Sequence, residues 1–257
     1  MTDAYSSFPM RRVDTTGRSP EEVLRLIAAT DRQGANSHAD PELWEHTLTF
    51  FPQFLGTLRE RVAPDATVAV VGASDGKFVL PLAAAGYHVV AIERDALALH
   101  GGEVCLPGDS EAHAMGLIDR LELEELHSRV HVVEDDFLEG EPLGVQCEAV
   151  WTSCSWHYSA NHHRPLAEFV DRMQRLVRPG GVFGAEFMMP VERRHHMTEH
   201  YTSPERLLPH FLGDWEILLT LRTNEFTERP HVGQPHDHTH RMGLLMAARA
   251  STFTDHL

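Results

Sequence analysis

Thr67–Val71 (TVAVV) is an unbroken apolar, β-branched run, the pattern of a strand buried on both faces. Gly72-Ala73-Ser74-Asp75-Gly76 follows it. Then comes KFVLPLAAAG, a helical stretch ending at Gly86, and after that His88–Glu93 (HVVAIE), a second buried strand. Parallel strands cannot be joined by a tight hairpin and need a crossover, usually a helix. This one unit therefore commits the chain to a layered α/β fold. Its ligands are expected at the carboxyl ends of the strands, where glycines let backbone approach closely.

The rest of the chain continues the alternation. Strands are expected over 129–136, 148–153 and 181–187, with a helix over about 164–177 and a turn at Arg178-Pro179-Gly180. Two final strands, 215–222 and 241–249, are joined by a loop too short of helix pattern for a crossover. They are expected as an antiparallel pair at the sheet edge. Upstream, the first 18 residues are polar and expected to be mobile. Ser19-Pro20 starts a helix over about 23–31, and residues 42–62 form a longer one carrying Trp44, Leu48, Phe51, Leu55 and Leu58 at helical spacing. A loop at 101–110 and a helix over 115–126 fill the interval before the third strand. The expected architecture is α/β: a Rossmann-like, seven-stranded, mostly parallel sheet with an antiparallel terminal strand pair, helices on both faces and an N-terminal helical cap. Residues 1–62 are read as the N-terminal segment and cap helices, 63–250 as the main domain with a substrate cap at 190–213, and 251–257 as a tail.

Composition narrows the function. With 257 residues and 42% hydrophobic content, a sizeable core forms and disorder is excluded. The formal charge of −16, from 38 acidic against 22 basic residues, argues against a nucleic-acid groove or an anionic membrane surface. It favours neutral or cationic small molecules. Cys105, Cys147 and Cys154 suggest no disulfide framework. With no long apolar run and no secretion-type leader, the expectation is a cytoplasmic protein. Oligomeric state is left open. Two oddities stand out: 19 histidines, and a single lysine, Lys77, directly after the glycine loop.

Five segments in order carry a resemblance: Val71–Gly76, Glu93 at the end of the second strand, Glu134-Asp135-Asp136-Phe137 after the third, AVWTSCSWHY at the end of the fourth, and LVRPGGVFGAEF leading into the fifth. In this order, over roughly residues 60–250, the chain resembles the class I S-adenosylmethionine-dependent methyltransferases. The resemblance implies S-adenosylmethionine as cofactor. It places Gly72, Ala73, Ser74, Gly76 and Lys77 by the cofactor's amino-acid portion and Glu93, with Arg94, at its ribose. It puts Asp135, Asp136 and Phe137 at the adenine, and Thr152 and Ser153 at the end of the fourth strand beside the cofactor. The chain departs from the family in having Val70 where an acid often stands and Ser74 in place of the middle glycine. The interval between Glu93 and Asp135 is also longer than usual. A nicotinamide-dependent oxidoreductase is the alternative, disfavoured because the loop is not G-x-G-x-x-G. A non-catalytic cofactor-binding scaffold is a third reading.

Acceptor-side residues should lie on loops at the strand ends. His157 suits a general base, and Trp156 or Tyr158 could face a sulfonium or cationic acceptor. Glu186, ending the fifth strand, is expected to face the cleft and bind an amine or guanidinium. His231 is a further pocket candidate. His236, His238 and His240 alternate and share one face in extended backbone, so they could bind Zn²⁺ or Ni²⁺. With no nearby cysteine pair, and because methyl transfer to nitrogen needs no metal, no metal site is assigned. Acid-rich loops (Glu186, Glu192, Glu199, Glu225, Glu228) favour a basic small-molecule or peptide acceptor, methylated on nitrogen or oxygen in specialised metabolism.

Overall fold

The computed structural model describes residues 10–13, 49–106, 110–140, 143–228 and 236–251. The helix expected over 23–31, Trp44 and Leu48 lie outside them.

The main sheet uses β1 (Met10–Val13), β2 (Thr67–Val71), β3 (His88–Glu93), β6 (Val130–Glu134), β7 (Cys147–Ser153), β8 (Val177–Met188), β9 (Trp215–Thr223) and β12 (Met242–Arg249). Its order is β1-β9-β12-β8-β7-β2-β3-β6. All seven expected strands are present and mostly parallel. The terminal pair is antiparallel as expected, but β12 is not at the edge. It inserts between β8 and β9, antiparallel to both. An eighth strand, β1, pairs in parallel with β9, so residues 10–13, within the stretch expected to be mobile, join the sheet. An edge strand is held by main-chain bonds, so a polar segment carries no hydrophobic signal for it.

Other elements also moved. Instead of starting at 42, the helix described here is α1 (Phe51–Arg61), with Pro52 in its first turn and Thr49 and Phe50 non-helical. Proline lacks an N–H and fits the start of a helix rather than its interior. The crossover helix is α2 (Val79–Ala84). After β3 come α3 (Ala96–His100) and, in place of the expected loop, a hairpin of β4 (Gly102–Leu106) and β5 (Ser110–Ala114). The helix behind it is α4 (Leu117–Leu123). The Arg178-Pro179-Gly180 turn is a bulge within β8: Cys147 faces Val177 while Ala149 faces Val182. Alternate residues of the central strands serve two cores. Val68 and Val70 pack with Phe51, Phe54 and Leu58 of α1. Ala69 and Val71 pack with Phe169, Val170 and Met173 of α5 (Leu166–Leu176). Burial on both faces is what the continuous apolar runs encode. Residues 190–213 hold short helical turns, including α6 (Pro204–Leu207). A second hairpin, β10 (Phe226–Glu228) with β11 (His238–His240), stands beside β9 and β12. Among the described residues no helix is long and apolar enough to cross a membrane.

Candidate active site

The carboxyl ends of β6, β3, β2, β7 and β8 lie side by side and open on one cavity of about 460 Å³, within the range of small-molecule sites. Its β2–β3–β6 half is built around Glu93. The Glu93 carboxylate accepts the backbone N–H of Ser74 at 2.8 Å, of Arg94 at 2.8 Å and of Asp95 at 2.9 Å. Ser74 adopts φ 49° to make that contact, and Gly72 turns with φ 74°. A Cβ at Gly72 would lie 2.1 Å from Ser155 Oγ, so the close passage of the two loops demands glycine.

Asp136 accepts from Arg94 at 2.6 Å and from the Leu138 amide at 2.9 Å. Burial raises its carboxyl pKa, but the Arg94 guanidinium and the amides of Leu138 and Glu139 outweigh that and hold it below the ordinary value. Asp135 bonds the next amide, and the Phe137 ring lines the cavity between Asp136 and Phe169. Lys77 also lines the wall, its Nζ 5.4 Å from the Phe78 ring centroid. Of the expected cofactor residues, the cavity collects Gly72, Ser74, Lys77, Glu93, Arg94, Asp135, Asp136, Phe137 and Ser153. Ala73 and Gly76 are buried behind the loop. Thr152 is buried too, its hydroxyl donating to the Val71 carbonyl at 2.8 Å, where it ties β7 to β2.

The other half comes from the loop after β7, from Met188 and Met242, and from the β10–β11 hairpin. His157 and Tyr158 both line it, their rings stacked 4.6 Å apart. Burial pushes the His157 imidazole down to about 4, and the neighbouring His240 adds to the effect. His157 is thus neutral near pH 7 and offers a lone pair. Trp156 is not in the cavity: it is fully buried and stacked on Phe187 at 5.5 Å.

Glu186 corrects the expectation most clearly. It is 1% exposed and lies outside the cavity. Its carboxylate accepts the Phe50 amide at 2.6 Å, the Thr49 hydroxyl at 2.9 Å and the Ser153 hydroxyl. Burial raises its pKa above the ordinary value. With its lone pairs committed to holding residues 49–50 on β8, it has none aimed at an acceptor. The other loop acids disperse as well. Glu192 pairs with Arg194 on the surface, Glu199 accepts the Leu166 amide, and Glu225 is exposed. Only Glu228 of the five lines the cavity. His231 lies outside the described residues. His196 and His200 do not share a helix; His200 is buried with its ring 4.7 Å from that of His162.

Ser155 and Asn161, the ends of the expected acceptor segment after the fourth strand, line the cavity; Asp95, Cys154, Met188 and Met242 line it without having been expected there. Cys154 stood within the motif after the fourth strand, which was the available signal. His238 and His240 were singled out, but for one another and His236; the structure puts Glu228 in the third position.

No family model matches the chain, and no curated relative matches it. Solved structures do. TehB from Haemophilus influenzae superposes with a TM-score of 0.55 over 78% of this chain, at 13% identity, and the chain spans 62% of the TehB length. A structure concerned with the conversion of a disulfide bond into a thioacetal group during echinomycin biosynthesis gives 0.50 at 16% identity, covering 78% of this chain and 82% of that one. A Clostridium thermocellum protein provisionally named an rRNA methylase gives 0.51 at 13% identity, covering 78% and 96%. At such identities the likeness is one of fold: the chain has the Rossmann-like fold shared by these proteins.

Proposed function

We propose that this protein is an S-adenosylmethionine-dependent methyltransferase acting on a nitrogen or oxygen of a small-molecule or peptide acceptor. The observation that carries the reading is the charge of one cavity. At the β2–β3–β6 end, Glu93, Asp95, Asp135 and Asp136 face Lys77 and Arg94, four carboxylates against two cations. Such a field attracts a sulfonium and repels the pyrophosphate of a nicotinamide dinucleotide, which separates the two cofactors that a glycine loop and a strand-ending acid leave open. The residues fit the cofactor. Glu93 presents a carboxylate that suits a ribose diol, Phe137 offers a ring face to the adenine, and the Gly72–Ser74 loop allows close backbone approach.

S-adenosylmethionine supplies an already activated methyl group. The chain's part is then to align the acceptor and to accept its proton. His157, neutral near pH 7, half-buried and lining the cavity, is the candidate for that proton, with Tyr158 stacked on it. Residues 190–213 are proposed as a substrate cap. The loss of four of the five loop acids from the site removes most of the earlier argument for a guanidinium-like acceptor. The net charge of −16 still favours an acceptor other than nucleic acid.

Calorimetry tests the cofactor: S-adenosylhomocysteine should bind and NAD(P) should not, and the reverse result ends the proposal. Transfer of radiolabelled methyl to amine and phenol panels, with total RNA alongside, tests the acceptor. Labelling confined to RNA would overturn the small-molecule reading.

A further inference from the structure

The β10–β11 hairpin pairs Glu228 directly with His238, and His240, two residues on, lies on the same face. That face is turned into the cavity, which all three residues line. Their ligand atoms lie within 4.8 Å of one another. Glu228 Oε2 is 3.3 Å from His240 Nε2 and 3.7 Å from His238 Nε2. Ligands at about 2.0–2.2 Å from a tetrahedral zinc stand roughly 3.4 Å apart, and the two carboxylate–imidazole separations lie close to that value. The side chains are 5%, 16% and 19% exposed, so solvent does not pull them apart.

A second observation points the same way. His238 Nδ1 lies 2.9 Å from the His236 carbonyl. A carbonyl only accepts, so Nδ1 carries the hydrogen and the lone pair of the neutral ring sits on Nε2, toward Glu228. Ligating histidines are oriented in this way, by a hydrogen bond from the other ring nitrogen. The ring is thereby fixed with Nε2 toward the Glu228 carboxylate, its hydrogen-bond partner, and a metal ion would replace the proton between them.

We infer that Glu228, His238 and His240 bind one divalent transition-metal ion of the Zn²⁺ type at the acceptor end of the cavity, with its open coordination positions toward the acceptor's heteroatom. Two imidazoles and one carboxylate leave such positions free, unlike a closed structural site. The ion neutralises Glu228 and, acting as a Lewis acid, favours a hydroxyl, thiol or amine acceptor that ligates it. His236, which alternates with these two, is exposed and lies outside the set. The acceptor role rests on the methyltransferase reading; the metal site does not.

The test uses tag-free full-length protein, stripped with chelator and titrated with Co²⁺ and Zn²⁺. One equivalent of Co²⁺ should bind with visible d–d bands of a low-coordinate site, displaced by Zn²⁺. Separate Glu228→Gln and His240→Ala variants should each lose about tenfold or more in Co²⁺ affinity. His236→Ala, the control for scattered histidines, should lose none. Circular dichroism and S-adenosylhomocysteine affinity report whether each variant is folded. Binding of many equivalents, or equal binding by wild type and His240→Ala, overturns the site; in that case a proton, not a metal, bridges Glu228 and His238. Metal binding without S-adenosylhomocysteine binding leaves the site standing and overturns the methyltransferase reading, and the converse result does the opposite.

Discussion

The Thr49 hydroxyl donates to the Glu186 carboxylate at 2.9 Å across 137 positions of sequence, while its own oxygen accepts the Phe51 amide at 3.0 Å. The start of α1 is thereby fastened to the end of β8. Glu186→Ala would leave the Phe50 amide and two hydroxyls without their acceptor in a dry site. Unfolding in urea should show a loss of about 3 kcal/mol. If Glu186 bound the acceptor instead, the same variant would keep its stability and lose activity.

Gly72 and Ser155 make a second close pair. Gly72→Ala must hold a Cβ at φ 74°, 2.1 Å from Ser155 Oγ. The left-handed conformation alone costs about 1 kcal/mol, and the clash displaces a loop that lines the cavity. S-adenosylhomocysteine affinity should fall at least about tenfold, or ~1.4 kcal/mol. Adding Ser155→Ala removes the nearest clashing atom and should restore part of the affinity, but not all, because the backbone strain remains.

Glu93 organises three amides and faces the cavity. Glu93→Ala should weaken S-adenosylhomocysteine binding by roughly 10- to 100-fold, on the scale of a lost charge-assisted hydrogen bond. The variant should also be less stable, since the amides of Ser74, Arg94 and Asp95 lose their acceptor. Calorimetry at a temperature where the variant is fully folded separates the two effects.

The pH dependence follows from His157. Its folded-state value of about 4 lies below the ordinary 6.5, so the folded protein binds fewer protons than the unfolded chain between those values. Stability from this group is complete above pH 6.5 and drains away as pH falls toward 4, by about 3 kcal/mol in all. His157→Gln should flatten that part of the stability profile. Imidazole NMR of the wild type should show His157 still neutral at pH 5; a midpoint near 6.5 for His157 would refute the assignment.

Much of the half of the cavity around Glu93 was legible because it is local. Val68–Val71 and Val89–Ile92 read as strands since burial on both faces leaves no polar residue, and Gly72 and Glu93 follow them within a residue or two. A parallel β–α–β unit then places Glu93 beside the loop by geometry alone. The half around His157 was less legible because it is assembled from segments distant in sequence. Glu186 and Thr152 sit at strand ends and share the motif positions of site residues, yet pleating and the approach of residues 49–50 turn them inward.

The sequence by itself determined the layered α/β sheet, the order of its strands along the chain and the edge at which the cavity opens. Those follow from hydrophobic periodicity and from where glycines and acids fall beside it. Only the tertiary structure decided that β12 enters between β8 and β9, that a polar segment near the start forms the outermost strand, and that Glu228 rather than His236 stands with His238 and His240. Each of these is a matter of register and pairing between backbones. Main-chain hydrogen bonds are the same for every residue type, so side-chain pattern cannot announce which strands they join.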